Sequence, residues 1–84
     1  MRVEESVGEV LRAVRKERGL SQEALALEAG VERNYVSLIE LGRSSPSIRV
    51  VFKLCKVLGV QPSALLARVE DQMRGGPKKR QGKR

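Results

Sequence analysis

The apolar residues of the first part of the chain recur at the spacing of an amphipathic helix. The i, i+3, i+4, i+7 pattern, which places side chains on one helical face, is formed by Val7, Val10, Leu11 and Val14. Ser6 and Glu9 have the spacing of a capping box, and Gly19 follows a basic last turn. This pattern predicts a first helix near residues 6–18.

Two shorter helical patterns follow, and each ends at a glycine. Ser21 is a favourable N-cap, and Leu20 and Leu25 have the spacing of a hydrophobic staple. These features predict a second helix near residues 21–29. After a turn of a few residues, a third helix is predicted near residues 32–41, although its glutamate N-cap is a mediocre one.

The last two predicted helices lie near residues 47–58 and 62–73. Ser47 is the expected N-cap of the fourth helix, and Pro62 suits the first position of the fifth. The inward stripe expected on the fourth helix consists of Ile48, Val51, Leu54, Cys55 and Leu58. The stripe expected on the fifth consists of Leu65, Leu66, Val69 and Met73. With no convincing strand, the pattern predicts an all-α fold, a compact domain of five helices over residues 1–73.

The charge of the chain is concentrated at its C-terminal end. The net charge is +7, but residues 1–73 contain eleven basic and ten acidic groups. Residues 74–84 hold six basic residues among glycine and proline, with nothing to bury, and we expect a disordered basic tail. Net charge therefore favours a basic tail and does not by itself predict a nucleic-acid surface on the folded part.

Several classes of protein do not fit this composition. The chain has no histidine and a single cysteine, Cys55, which is expected to be a buried apolar residue. We therefore expect no enzyme, no metal site and no cofactor. No apolar run has the length of a membrane span, and no apolar segment typical of a signal peptide appears, so a cytoplasmic protein is expected.

A set of short motifs in fixed order resembles the lambda-repressor-like helix-turn-helix family, also called the Cro/C1 or XRE family. The resemblance covers roughly residues 7–67. The motifs that carry it are Leu-Ser-Gln (20–22), Ala-Gly-Val (29–31), Tyr-Val-Ser-x-Ile-Glu (35–40), Gly-Arg (42–43), Pro-Ser (46–47) and Leu-Gly-Val (58–60). Among stand-alone members, the chain resembles restriction-modification controller proteins and small prophage-type repressors.

The resemblance implies a set of residues that contact DNA and a second set that forms a dimer. The expected DNA contacts are Gln22, Arg33, Asn34, Tyr35, Ser37, Leu38 and Arg43. The expected dimer interface consists of Leu66, Val69 and Met73. The family also implies a structural ion pair, here between Arg15 and Glu40. Arginine and asparagine are the usual bidentate partners of guanine and adenine, so Arg33 and Asn34 are a plausible base-reading pair.

The resulting hypothesis is a sequence-specific transcriptional regulator. It would bind a palindromic operator in double-stranded DNA as a homodimer, with the third helix in the major groove. The alternative is an antitoxin or another protein-interaction module of the same fold. In that case the outward-facing Leu38 and Leu41 would contact a protein partner.

Overall fold

The computed structural model describes residues 2–75. It contains five α-helices and, over these residues, no strand, which confirms the predicted all-α fold. The helices are α1 (Val3–Glu17), α2 (Gln22–Ala29), α3 (Arg33–Glu40), α4 (Ile48–Leu58) and α5 (Pro62–Met73). Met1 and residues 76–84 lie outside the described residues, and they include most of the predicted basic tail.

Local capping determines where three of the helices begin. The Ser21 Oγ accepts a hydrogen bond of 2.9 Å from the Ala24 amide, and the Ser47 Oγ accepts one of 3.2 Å from the Val50 amide. Each bond satisfies one of the amide groups that the first turn leaves without a helical partner. Pro62 is the first residue of α5, where its missing N–H costs nothing. These three predicted starts are confirmed.

The start of α1 differs from the prediction. The helix begins one turn earlier, at Val3, and Ser6 lies fully buried inside it, so the predicted Ser6–Glu9 capping box is wrong. Instead, the Glu5 carboxylate accepts a hydrogen bond of 3.3 Å from the Arg2 amide. The physical reason is tertiary: the extra turn packs beside the residues that follow α3, where Arg2 Nη2 donates a hydrogen bond of 3.2 Å to the Gly42 carbonyl oxygen and Glu5 lies against Gly42.

The hydrophobic core draws side chains from all five helices. Helix α1 packs against α3 and α5, α2 packs against α3 and α4, and α4 packs against α5. The buried apolar residues are Val10, Leu11, Val14, Leu25, Ala26, Ala29, Val36, Ile39, Val51, Leu54, Cys55, Leu58, Leu65 and Val69. Cys55 is fully buried, as expected, and desolvation raises the pKa of its thiol.

The first turn of α4 departs from the predicted inward stripe. Ile48 is 67% exposed, whereas the other four predicted positions are buried. Ile48 has the correct helical phase, but it is the first residue of the helix and the core does not reach that far. One turn later, Phe52 is also exposed, so α4 presents an apolar edge that the pattern did not indicate.

Within residues 2–75, no helix on its own is long and apolar enough to cross a membrane. Helices α4 and α5 reach the necessary length and composition only when taken together, and they meet at 105°.

Gly8 lies where the backbone of α1 comes very near that of α3. A Cβ atom at this position would overlap the backbone carbonyl oxygens of Ile39 and Glu40. Glycine in the middle of a helix costs roughly 0.5–1 kcal/mol relative to alanine. Here that cost is offset by allowing the backbone of α1 to lie directly against the last turn of α3.

We expect Gly8→Ala to lower the free energy of unfolding by about 1–3 kcal/mol, because the new methyl group meets backbone atoms that cannot rotate away. Urea unfolding followed by circular dichroism measures the change. Arg12→Ala, on the exposed side of the same helix, is the control and should alter stability by less than about 0.5 kcal/mol. Equal stability of Gly8→Ala and the unmodified chain would contradict the described packing of α1 on α3.

Candidate nucleic-acid interface

The first turn of α3 combines an exposed outer side with a deeply buried inner side. Arg33 and Asn34 are exposed, whereas Val36 and Ile39 have no accessible surface. Val36 and Ile39 therefore anchor the helix from below while the first-turn side chains remain in solvent. Glu32 precedes the helix as its N-cap, and its side chain makes no capping hydrogen bond, in keeping with the weak predicted start.

The start of α3 lies beside the start of α2. A shared groove is lined by Ser21, Glu23, Ala24, Ala26, Leu27, Val31 and Arg33. The tight turn between the helices depends on Gly30, which has a φ of 74° in the left-handed region. The starts of both helices contribute side chains to this groove, so they open on the same side of the domain.

The other predicted contact residues differ in their exposure to solvent. Tyr35 is half-buried, and its ring packs against the core. Ser37 and Leu38 are half-buried, and Arg43 is exposed in the turn after the helix. Leu41 is exposed at the far end of α3, beyond the turns that carry the polar residues.

A buried ion pair connects α1 to the last turn of α3. The Glu40 carboxylate accepts hydrogen bonds of 2.6 Å from Arg15 Nε and 2.9 Å from Arg15 Nη2. Arg15 Nη1 donates a third bond, of 2.8 Å, to the Leu20 carbonyl oxygen just before α2. The bond to Glu40 outweighs desolvation and raises the pKa of Arg15. The ion pair implied by the resemblance is therefore present.

Gln22 joins this buried pair, which the sequence did not indicate. Its Nε2 donates a hydrogen bond of 2.9 Å to Glu40 Oε1, the same oxygen that accepts from Arg15 Nη2. Gln22 and Glu40 are 18 residues apart on different helices, so no local pattern connects them. The first residue of α2 is thus fixed by the last residue of α3.

Helix α5 changes the predicted dimer surface. Leu66 and Met73 are 43% and 42% exposed, but Val69 is only 5% exposed and packs in the core of its own domain. Val69 consequently has almost no surface to offer a partner, and the expectation for this residue is corrected. The reason is that α5 packs against both α1 and α4, and Val69 joins the core that these helices share.

Polar contacts between surface side chains add to the packing of α5 on α1. Both amino groups of Arg68 donate to the Glu17 carboxylate, at 3.2 and 3.1 Å, and Gln72 Nε2 donates to Glu9 at 2.6 Å. The hydrogen bonds from Arg68 hold the pKa of Glu17 below its ordinary value, and the positive charge of Arg68 lowers it further.

Residues 2–75 contain no group of three histidine, cysteine or acidic side chains placed to hold a metal ion.

Comparison with known proteins shows the family to which the chain belongs. Residues 11–65 match the family described as helix-turn-helix, HTH_3, and the chain belongs to this family. This family is the Cro/C1 or XRE type of helix-turn-helix, a family of DNA-binding transcription regulators. The match confirms the resemblance seen in the sequence.

Particular relatives include regulators of phage immunity and of restriction-modification. The immunity repressor protein of Bacillus phage phi105 is 39% identical over 61 residues, covering 73% of this chain. The chain spans only 42% of that repressor. The control protein C.BamHI of Bacillus amyloliquefaciens is 42% identical over 60 residues, covering 70% of this chain and 74% of the relative.

A solved structure gives the same fold. The restriction-modification controller protein C.AhdI from Aeromonas hydrophila superimposes with a TM-score of 0.72 at 37% identity. The match covers 74% of this chain and 94% of the controller protein.

The buried ion pair should respond differently to single and double substitution. Glu40→Leu alone leaves the Arg15 guanidinium buried without its counter-ion, which should cost about 3–5 kcal/mol of stability. Arg15→Met combined with Glu40→Leu removes both charges and should recover most of that loss. Chemical unfolding of the three chains measures both effects. A double variant less stable than Glu40→Leu would show that the pair contributes more than charge compensation.

Proposed function

We propose that this chain is a sequence-specific transcriptional regulator that binds a palindromic operator as a homodimer, with α3 in the major groove. The observation that carries the proposal is the exposed Arg33–Asn34 turn, anchored from below by fully buried Val36 and Ile39. A B-DNA major groove of about 12 Å accepts one helix, and a helix held at its base can present its first turn to base edges.

The predicted contact residues divide into two chemical roles. Arg33 can bond to guanine O6 and N7, and Asn34 to adenine N6 and N7, so these two would read sequence. Ser37, one turn further along the same helix, would contact a base or a phosphate. Leu38 offers only apolar contact, for example with a thymine methyl group. Arg43 would contact phosphate.

Two half-buried residues would complete the phosphate contacts on either side of the reading turn. Tyr35 packs its ring on the core, which leaves its hydroxyl to reach the backbone of DNA. Gln22 begins α2, the helix that would cross the DNA backbone in this family's docking geometry.

The homodimer part of the proposal rests on α5. Leu66 and Met73 are seven residues apart, which places them two turns apart on one side of the helix, and both keep exposed apolar surface. A dimer formed there would pair two copies of α3 with the two halves of a palindrome. We infer no catalytic role, since the chain has no histidine and its only thiol is fully buried.

Selection of bound DNA from a random pool tests the function directly. We expect a two-fold symmetric sequence to be enriched, and its half-site spacing reports the dimer geometry. If washing at moderate salt leaves no enriched sequence, sequence-specific binding is excluded and the protein-interaction alternative takes its place.

Arg33→Ala should weaken binding to the selected operator by about 1–3 kcal/mol per half-site and relax the preference at one base position. Repeating the selection with the variant identifies that position. Lys56→Ala removes the same charge from the exposed last turn of α4 and should leave the base preference unchanged. An identical base preference for Arg33→Ala and the unmodified chain would remove Arg33 from the reading residues.

Replacing both Leu66 and Met73 with glutamate should shift dimers to monomers in sedimentation velocity runs, because charged groups would then be buried at the interface. Leu27→Glu is a matched control, since Leu27 is 82% exposed on a different helix. A dimer that survives both α5 substitutions but dissociates on Leu27→Glu would place the interface on α2.

A further inference from the structure

The orientation of the Gln22 side chain is determined by its partner. Glu40 Oε1 is a carboxylate oxygen and can only accept, so the Gln22 amide must present its nitrogen to it. The opposite orientation would bring two acceptor oxygens together at 2.9 Å. The nitrogen carries a second hydrogen, which the bond to Glu40 leaves directed elsewhere.

The Glu40 carboxylate is itself held in place by Arg15. Glu40 receives two hydrogen bonds from Arg15 and is almost fully enclosed, with a side-chain exposure of 3%. Arg15 is tied in turn to the carbonyl of Leu20, two residues before Gln22. Side chains from three helices therefore meet at one carboxylate. Of the three residues, Arg15 and Glu40 are buried and Gln22 is the most exposed to solvent.

We propose that Glu40 is a positioning residue for DNA binding: it holds the Gln22 amide ready to donate its second N–H to a phosphate oxygen. The proposal rests on the proposed function, since it needs DNA at the start of α2. A flexible glutamine loses rotamer freedom when it binds, and this loss opposes affinity. A glutamine already fixed by Glu40 avoids most of that loss.

The neutral charge of Gln22 gives the contact a distinctive salt response. Lysine and arginine contacts release counterions, so each one steepens the dependence of affinity on salt by about 0.9 in log–log slope. An amide donor releases none. Loss of the Gln22 contact should therefore reduce affinity equally at every salt concentration, whereas loss of Arg43 should flatten the slope.

The first measurement uses the unmodified full chain without DNA. Nuclear magnetic relaxation of the side-chain amide groups should show Gln22 nearly as rigid as the backbone. Gln61, an exposed glutamine before α5 whose side-chain oxygen accepts one long bond of 3.5 Å from Ser63 Oγ, is the internal control and should be mobile. A Gln22 amide as mobile as that of Gln61 would overturn the proposal, and this result does not depend on any variant folding.

The second measurement is a double-mutant cycle on the selected operator. Gln22→Ala should weaken binding about tenfold in the unmodified background, the effect of losing a hydrogen bond to a charged group. In the Arg15→Met, Glu40→Leu background, the amide has lost its anchor, and the same substitution should cost only about twofold. Arg43→Gln is the control, and its effect should be the same in both backgrounds.

The outcomes separate this proposal from the function on which it rests. Operator binding that is unaffected by Gln22→Ala, or weakened equally in both backgrounds, would overturn the positioning role and leave the regulator function intact. Failure of the unmodified chain to select any DNA sequence would instead remove the function. A change in salt slope on Gln22→Ala would also count against the proposed neutral contact.

Discussion

The buried pair between Arg15 and Glu40 is the interaction on which the arrangement of the first three helices depends. Arg15 comes from α1, Glu40 ends α3, and the bond to the Leu20 carbonyl brings in the chain just before α2. Two opposite charges are costly to bury, and the cost is recovered only when geometry and additional hydrogen bonds are favourable. Here the carboxylate receives three donors, so the polar centre of the domain specifies one relative placement of the helices.

The sequence predicted those elements of the fold that local chemistry controls. Ser21, Ser47 and Pro62 start their helices through interactions with the next few residues, so the starts could be predicted without knowing the fold. Ile48 and Val69 were misplaced because their burial depends on which helix lies opposite. Helical phase fixes the direction of a side chain, and only the tertiary structure decides whether something covers it.

The candidate interface shows the same division. Arg33 and Asn34 could be predicted as exposed because Val36 and Ile39 set the phase of a single short helix. The bond between Gln22 and Glu40 could not, since it joins residues 18 apart on α2 and α3, and no local pattern connects them. The contact of α1 with α3 at Gly8 is of the same kind: a glycine inside an apolar helical pattern can mark a close backbone approach, but only the tertiary structure shows that its neighbour is α3.

Gly8 and Arg15 lie seven residues apart on α1, a rise of about 10 Å, and both contact the last turns of α3. The two contacts together fix the position of α1 against α3. Helices α3 and α1 are therefore held together as one unit, and α5 also packs against α1. In the proposed dimer, an operator whose half-sites were one base pair too far apart could not be accommodated by tilting α3 within its domain. The adjustment would fall on the DNA or on the subunit interface, so spacing itself would be part of what the protein recognises.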